Sequence, residues 1–463
     1  MMKKVKIGFL PLYLKLYDDR SPGLRPGIEA YRDSLTSALE AEGAELVVAD
    51  ICRIDPEFRA AVARFEAEGV DAIVTVHLAY SPSLECIGAL AATSLPLIIL
   101  DTTRDYDFGF GVIKGGISYN HGIHGVQDLC NLLRRHRKDY TLFVGHFEKS
   151  DVTKRVVDAA RAVVAAQSLD GMKVGQVGGS FAGMGDFLPS AEAMERLGII
   201  TVPCDGEELA RHRDAVGEEE LRAEYERDCA ENGAAAVSYE DYAYAERIGL
   251  AVRRWIDANS LGAFTMTFLS AGKVGGFDTM PFSESSKAMA RGIGYAGEGD
   301  VLTAALVGAL SAAFDKVNFT EMFCPDWKGG AIYMSHMGES NLRLLENRKT
   351  VVKPFPYADG PNPTCILGHM IAGQACVCNL LPNADGWFDL VICEGEMLKL
   401  PEEIETLPSS MNGWWRPKNL PVASFLERYS ELGGTHHSAL VYGVDAKSLS
   451  LFAKTLGMTY TVI

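Results

Sequence analysis

Two glutamates and two or three histidines in the second half of the chain have side-chain types and settings suited to metal binding or proton transfer. Glu298 stands between Gly297 and Gly299, just before Asp300 and the apolar helical run VLTAALVGALSAAF at 301–314. Asp300 is placed as that helix's N-cap, its carboxylate accepting from free backbone N–H groups. Glu298 is left on a loop free to aim inward. Glu321 lies between Phe319 and Phe323 in a strand-like run. On a period of two the three share a face, which makes Glu321 a candidate for burial. A buried carboxylate must be paired, protonated or bound to a metal. His336 sits in the apolar run YMSHM, and His436 and His437 adjoin at the mouth of a strand after Gly433-Gly434-Thr435. Strand geometry lets only one of that pair face a given site. Taken singly, each residue has an ordinary alternative: a solvated loop carboxylate, or a hydrogen-bonded core histidine. Taken together, carboxylates and imidazoles without thiolate suit a hard-to-borderline divalent ion with open positions, such as Mn²⁺. Such an ion holds neighbouring substrate oxygens and polarises a carbonyl, while the carboxylates move protons.

Other chemistries find little support. The run GIGYAG at 292–297 matches GxGxxG, but the preceding SSKAMAR looks helical, and a dinucleotide site needs strand, tight turn and helix in that order. Neither a phosphate-binding loop of the Walker kind nor a GxSxG elbow occurs. The ten cysteines follow no repeating interval and form no CxxC pair, so a thiolate zinc site is unsupported and free thiols in a reducing cytosol are expected. Lys and Arg total 44 against 61 Asp and Glu, a net charge of −17, which repels phosphate backbones and anionic lipids. Nucleic acid and membrane are therefore not expected partners. The basic run 134–138 ends an apolar-periodic helix and complements its macrodipole. No apolar run approaches the ~18–20 residues of a membrane span. The apolar amino-terminal stretch is broken by Pro11 and Lys15 and lacks a cleavage site, so a cytoplasmic protein is expected.

The elements that must position these residues fall into three regions. Over the first ~180 residues, apolar runs at 5–12, 44–50, 71–77, 96–102, 140–146 and 172–177 alternate with helical patterns at 26–42, 55–69, 82–93 and 151–169. That alternation means buried parallel strands with crossover helices, a doubly wound α/β layer. The middle adds strands at 199–204 and 263–268 and a long helix at 239–259. It also holds an acidic helix at 217–229 read as a solvated face, and a Gly/Ser-rich stretch, 269–286, read as largely loop. After about 325, short strand-like runs at 330–336, 365–370, 374–381 and 389–394 alternate with turn signals. Helices at 422–432 and 446–456 then flank a strand at 438–442, which favours an antiparallel, barrel-like or sandwich-like unit. The expected fold class is α/β with three domains. Residues 1–172 and 173–325 form two doubly wound α/β domains, the second carrying both glutamates, and residues 326–463 form a β-rich domain carrying the histidines.

At four positions the chain resembles the L-arabinose isomerase family, and more distantly the L-fucose isomerases. The motifs are YAGEGD at 295–300 followed by TAAL, FTE at 319–321, SHM at 335–337 and GGTHHSAL at 433–440. Weaker similarity runs through HLAYSPS at 77–83, SYNHGIHGVQD at 118–128, GGSFAGMGDF at 178–187 and AFTMTF at 263–268. The resemblance implies Mn²⁺, or another divalent ion, held by Glu298, Glu321, His336 and His437, the second of the adjacent histidines. It implies that Glu298 and Glu321 are also the proton-transfer pair. It places Phe181 and Phe268 near the sugar, and His124 as a residue that reaches the site of a neighbouring subunit. The implied assembly is a homotrimer or homohexamer with shared sites. Several features depart from the family: a shorter chain, an opening strand without the family's Gly-Ser-Gln sugar loop, a slightly short interval between the two glutamates, and Gln176 where a basic residue is expected. These departures leave the sugar open between arabinose and another aldose with a modified or longer tail.

The expected activity is metal-dependent aldose–ketose isomerisation of a free sugar through a cis-enediol. Epimerisation or aldol-type cleavage at the same ion are rivals, because the glutamate pair would serve them equally. A third alternative is a non-catalytic sugar-binding protein, which a doubly wound first half also suits.

Overall fold

The computed structural model describes residues 3–111, 116–401 and 413–463. They pack as two compact units: residues 3–164 with 447–455, and residues 165–446 with 456–463.

The first unit is built on five parallel strands, β1 (Lys6–Leu12), β2 (Glu45–Val48), β3 (Ala72–His77), β4 (Leu97–Asp101) and β5 (Thr141–Val144), in the order β2-β1-β3-β4-β5. Strands β3 and β4 are buried along their whole length, as expected where crossover helices cover both faces of a parallel sheet. Helices Arg25–Ala41, Asp55–Glu68, Ser83–Ala92 and Ile123–Arg135 supply that cover, their apolar stripes turned to the sheet. Residues 447–455 of helix Ala446–Thr455 join the same unit. There the Lys454 ammonium donates to Tyr140 O at 3.0 Å and Thr141 Oγ1 at 2.9 Å.

The second unit opens with a four-stranded parallel sheet: β6 (Lys173–Val177), β7 (Ile200–Pro203), β8 (Ala263–Met266) and β9 (Gly294–Gly297), ordered β7-β6-β8-β9. A mixed sheet follows, made of β10 (Val317–Asp326), β11 (Ala331–Ser335), β14 (Gly373–Pro382), β15 (Phe388–Cys393), β16 (Gly395–Met397), β17 (Gly413–Pro417), β18 (His437–Tyr442) and β19 (Thr459–Val462). Its order is β16-β17-β11-β10-β18-β14-β15-β19, and β16 also pairs with β14. That extra pairing closes six strands into a barrel and leaves no open edge among them. Strands β12 (Leu345–Val352) and β13 (Thr364–Met370) form a separate antiparallel pair. The parallel α/β regions and the β-rich barrel agree with the fold class read from the sequence. Strand β10, which carries Glu321, is hydrogen-bonded on both sides within the barrel.

Two local expectations hold only in part. The stretch 269–286 is turn and loop over 271–281, as expected, but not to its end, which enters helix Phe282–Ala290, buried over nearly its whole length. Serines favour turns because they can bond to nearby backbone. Here that bonding turns inward: Ser285 Oγ and Ser286 Oγ donate to the carbonyls of Pro281 and Phe282, each at 3.1 Å. The acidic helix Glu218–Glu231 is not wholly solvated either. Glu224 and Asp228 are buried against the Lys287 ammonium, at 2.8 and 2.6 Å. Among the described residues, no helix is long and apolar enough to cross a membrane.

Candidate active site

Glu298 follows β9 and precedes helix Val301–Ser311 in a turn that its neighbours dictate. Glu298 adopts φ +60°, a left-handed conformation that costs a non-glycine residue on the order of 1–3 kcal/mol. The turn is held from outside: Phe181 N–H donates to Glu298 O at 2.8 Å, and Ser180 Oγ and Gln176 Nε2 each donate to Gly299 O at 3.0 Å. Gly299 is at φ +79°, and a Cβ there would lie 2.2 Å from Gly179 O. A Cβ on Gly297 would lie 2.4 Å from Cε1 of His336. The glycines flanking Glu298 thus admit a loop backbone on one side and an imidazole on the other. The GxGxxG-like run makes no phosphate loop; its last four residues are β9 itself.

The other candidates meet through strand register. Glu321 on β10 lies opposite Ser335, the last residue of β11, and opposite His437, the first residue of β18. Directly opposed residues project to the same face, and His336 follows Ser335 at once. Ligand-type atoms of Glu321, His336 and His437 all lie within 4.8 Å of one another, as do those of Glu298, His436 and His437. Atoms bound on opposite sides of an ion at ~2.0–2.2 Å are about 4 Å apart, so each triad is near that scale. The rings are held by aromatic packing. Phe319 lies edge-on to His336 and His437, at 4.8 and 5.0 Å, and Phe187 stacks on His437 at 5.3 Å with 13° between planes. Glu321 is half-buried rather than buried, because β10 bulges between Met322 and Cys324 and turns Phe323 outward.

Each of the two buried imidazoles has its own carboxylate partner. Asp300 Oδ1 caps its helix, accepting from Thr303 N–H at 2.8 Å, while Oδ2 accepts from His437 Nδ1 at 3.0 Å. Glu339 Oε1 accepts from His336 Nδ1 at 2.5 Å. Both pairings occupy Nδ1 and leave Nε2 for the site, the arrangement expected of metal-ligating histidines. Sequence reading gave Asp300 only its capping role and missed Glu339; an acid three residues past a candidate ligand was the available signal. His437 Nε2 is buried, has no hydrogen-bond partner, and lies 3.5 Å from Glu298 Oε2. Burial disfavours the His437 cation, but the Asp300 and Glu298 carboxylates outweigh it and push the imidazole up to about 9. Burial likewise disfavours ionised Glu298, yet His436 and His437 hold its carboxyl well below the usual range. The carboxylates of Glu298 and Glu321 and the imidazoles of His336 and His437, the last with its buried Nε2 unpartnered, are donor types that fit a hard-to-borderline divalent ion.

The expectation that only one of the adjacent histidines faces the site is overturned. His436 precedes β18 and is free of strand alternation, so both rings reach Glu298. Its Nδ1 and backbone N–H bond Asp186 Oδ2, at 2.7 and 3.0 Å, and its Nε2 lies 3.5 Å from Glu298 Oε2. Phe181, whose N–H bonds Glu298 O, packs its ring against that of Phe268 with centroids 5.4 Å apart. His124, in the first unit, is exposed in the first turn of helix Ile123–Arg135, its ring 4.7 Å from that of Tyr80. A third acidic cluster, Glu224, Asp228 and Glu246, is filled by the Lys287 ammonium, which reaches all three carboxylates at 2.6–2.8 Å.

Two family models match in tandem: the L-arabinose isomerase central domain over residues 189–314 and the L-arabinose isomerase C-terminal domain over residues 316–459. The L-arabinose isomerase of Flavobacterium johnsoniae is 26% identical over 404 residues, covering 83% of this chain and 78% of its own length. L-arabinose isomerase 1 of Bacillus licheniformis is 27% identical over 406 residues, covering 84% and 80%. The protein of that name from Aeromonas salmonicida is 26% identical over 423 residues, covering 85% and 81%. With both models matched end to end and such relatives spanning most of its length, the chain belongs to the L-arabinose isomerase family, as a divergent member, and is an isomerase.

Proposed function

We propose that this protein interconverts a free aldose and its ketose through a cis-enediol. In this reading Glu298, Glu321, His336 and His437 hold a divalent ion, Mn²⁺ by preference, and the two glutamates are the proton-transfer pair. The supporting observation is that two triads, Glu298–His436–His437 and Glu321–His336–His437, meet at His437, each with ligand-type atoms within 4.8 Å of one another, and that the unpartnered Nε2 of His437 lies 3.5 Å from Glu298 Oε2.

The proton alpha to a sugar carbonyl is too weakly acidic for a free carboxylate to remove. A bound divalent ion supplies polarisation of the carbonyl and stabilisation of enediolate charge, commonly several kcal/mol. The chain's own residues do the rest. One glutamate takes the proton from C2 and returns it to C1; the other carries the hydroxyl proton between O2 and O1. Asp300 and Glu339 fix the imidazoles by their Nδ1 atoms, Phe319 packs edge-on against both rings, and Phe187 stacks on that of His437. Phe181 and Phe268 border the sugar. A homotrimer or homohexamer belongs to the same proposal, with His124 contacting the sugar of a neighbouring subunit, and so does a cytoplasmic setting that keeps the ten thiols reduced.

The test is a panel of aldoses offered to the EDTA-stripped protein before and after Mn²⁺ is restored, with products read by NMR in deuterated water. The expected result is metal-dependent formation of a ketose, with solvent deuterium appearing at C1. Glu321→Gln should abolish turnover while leaving the circular dichroism unchanged. Near-normal turnover in that variant would refute the glutamate pair, and epimers or smaller fragments would shift the reaction to a rival class.

A further inference from the structure

Glu298 Oε2 lies 3.5 Å from Nε2 of His437 and 3.5 Å from Nε2 of His436. The isomerase reading gives His437 Nε2 to the ion and leaves His436 to the carboxylate. Sheet register does not aim the His436 ring, because β18 begins one residue later. Its orientation comes from Asp186, whose Oδ2 accepts from His436 Nδ1 at 2.7 Å and from its backbone N–H at 3.0 Å. One oxygen bonded to both the ring and the main chain of a residue fixes that ring relative to its own backbone. Phe187 packs against the same ring, with 5.6 Å between centroids.

Asp186 and Phe187 belong to the loop that follows β6, and the same loop donates Phe181 N–H to Glu298 O at 2.8 Å. The loop therefore holds Glu298 twice, directly at its backbone and through His436 at its carboxylate. The Asp186 side chain is 39% exposed and has little burial to contribute to the fold. Of the three imidazole–carboxylate pairs in the site, two serve rings given to the ion, those of Asp300 and Glu339. Asp186 serves the ring that is not.

We propose that Asp186 is a positioning residue for proton transfer: by fixing His436 it holds the Glu298 carboxylate in the orientation the substrate requires, without contacting the ion. The inference rests on the isomerase reading above and deepens it. A carboxylate acting as base must lie within hydrogen-bond reach of the proton it takes, and a misplacement of ~1 Å costs about 100-fold in rate.

The test uses the Mn²⁺-loaded enzyme and whichever aldose the wild type converts. Asp186→Ala should lower kcat about 10–100-fold, with KM, Mn²⁺ affinity by titration calorimetry and the melting curve nearly unchanged. Asp186→Asn should recover most of kcat, because the amide oxygen accepts the same two bonds. His436→Ala should lower kcat as far as Asp186→Ala does, and the double variant no further, since Asp186 acts through that ring. Wild-type kcat in Asp186→Ala, no recovery in Asp186→Asn, losses that add in the double variant, or a fall in Mn²⁺ affinity matching the fall in kcat would overturn the assignment and leave the isomerase reading standing. Absence of ketose from every aldose would remove both.

Discussion

Asp300 serves two structures with its two oxygens, and substitution can separate them. Oδ1 caps helix Val301–Ser311 and Oδ2 holds Nδ1 of His437. Asparagine is as good an N-cap as aspartate but brings no charge to the imidazole. Asp300→Asn should therefore leave thermal stability within about 1 kcal/mol of wild type while weakening Mn²⁺ binding by about 10–100-fold, the usual effect of losing such a carboxylate partner. Asp300→Ala should lose both. Titration calorimetry with Mn²⁺ and a melting curve measure the two effects, and equal affinity in Asp300→Asn would remove the carboxylate from the site. The same logic explains what the sequence hid at this scale. Glu298, Glu321, His336 and His437 stood out because glycine or apolar neighbours made a carboxylate or imidazole conspicuous. Asp186 did not, because its significance comes from His436, brought to it by the fold from 250 residues away, whereas Glu339, three residues past His336, carried a local signal that was passed over.

Among the elements, helix Phe282–Ala290 was legible in its SSKAMAR half but not in its first turn, and its position makes it costly to disturb. Lys287 sends a fully buried ammonium into three carboxylates, and Arg253 bridges Glu224 to Glu284. Burial disfavours the charged forms, yet the neighbouring charges hold the Glu224 carboxyl well below its usual range and the Lys287 ammonium above its own. Lys287→Met should strand buried negative charge and cost about 3–5 kcal/mol. Arg227→Gln, which removes a half-exposed partner of the same Glu224, should cost under about 1 kcal/mol. Urea unfolding followed by tryptophan fluorescence reads this, because all five tryptophans lie in the second unit, Trp255 among its most buried side chains. Equal costs would mean the cluster gains nothing from Lys287. The contrast also shows why most other elements were legible. The parallel strands announce themselves as continuous apolar runs and the long helix Tyr239–Asn259 by its periodicity, whereas the first turn of Phe282–Ala290 lies in a Gly/Ser-rich stretch whose pattern reads as loop. The barrel's closure was equally hidden, since it depends on β16 and β17, three and five residues long, too short to carry a pattern.

For the whole molecule, division into two units makes acid stability a property of each. In the first unit, His77 ends β3 with both ring nitrogens buried and unpartnered, and Gly122 and Gly125 pack so closely that a Cβ on Gly125 would lie 2.5 Å from its ring. Burial pulls this imidazole down to about 3 from 6.5. The sign follows from proton counting: between those values the unfolded chain binds a proton that the folded unit refuses, so stability is whole above pH 6.5 and falls as pH drops toward 3. Acid also neutralises part of the net charge of −17, which works the other way by easing self-repulsion, so the histidine's share must be isolated by difference. Compared with His77→Gln, the wild-type protein should lose about 1.6 kcal/mol of relative stability between pH 6.5 and 5, the slope rising toward 1.36 kcal/mol per unit of pH as the unfolded imidazole becomes fully protonated. Far-UV circular dichroism is the needed probe, since the first unit has no tryptophan. A difference that stays constant with pH would mean that water or a proton reaches the ring in the folded state.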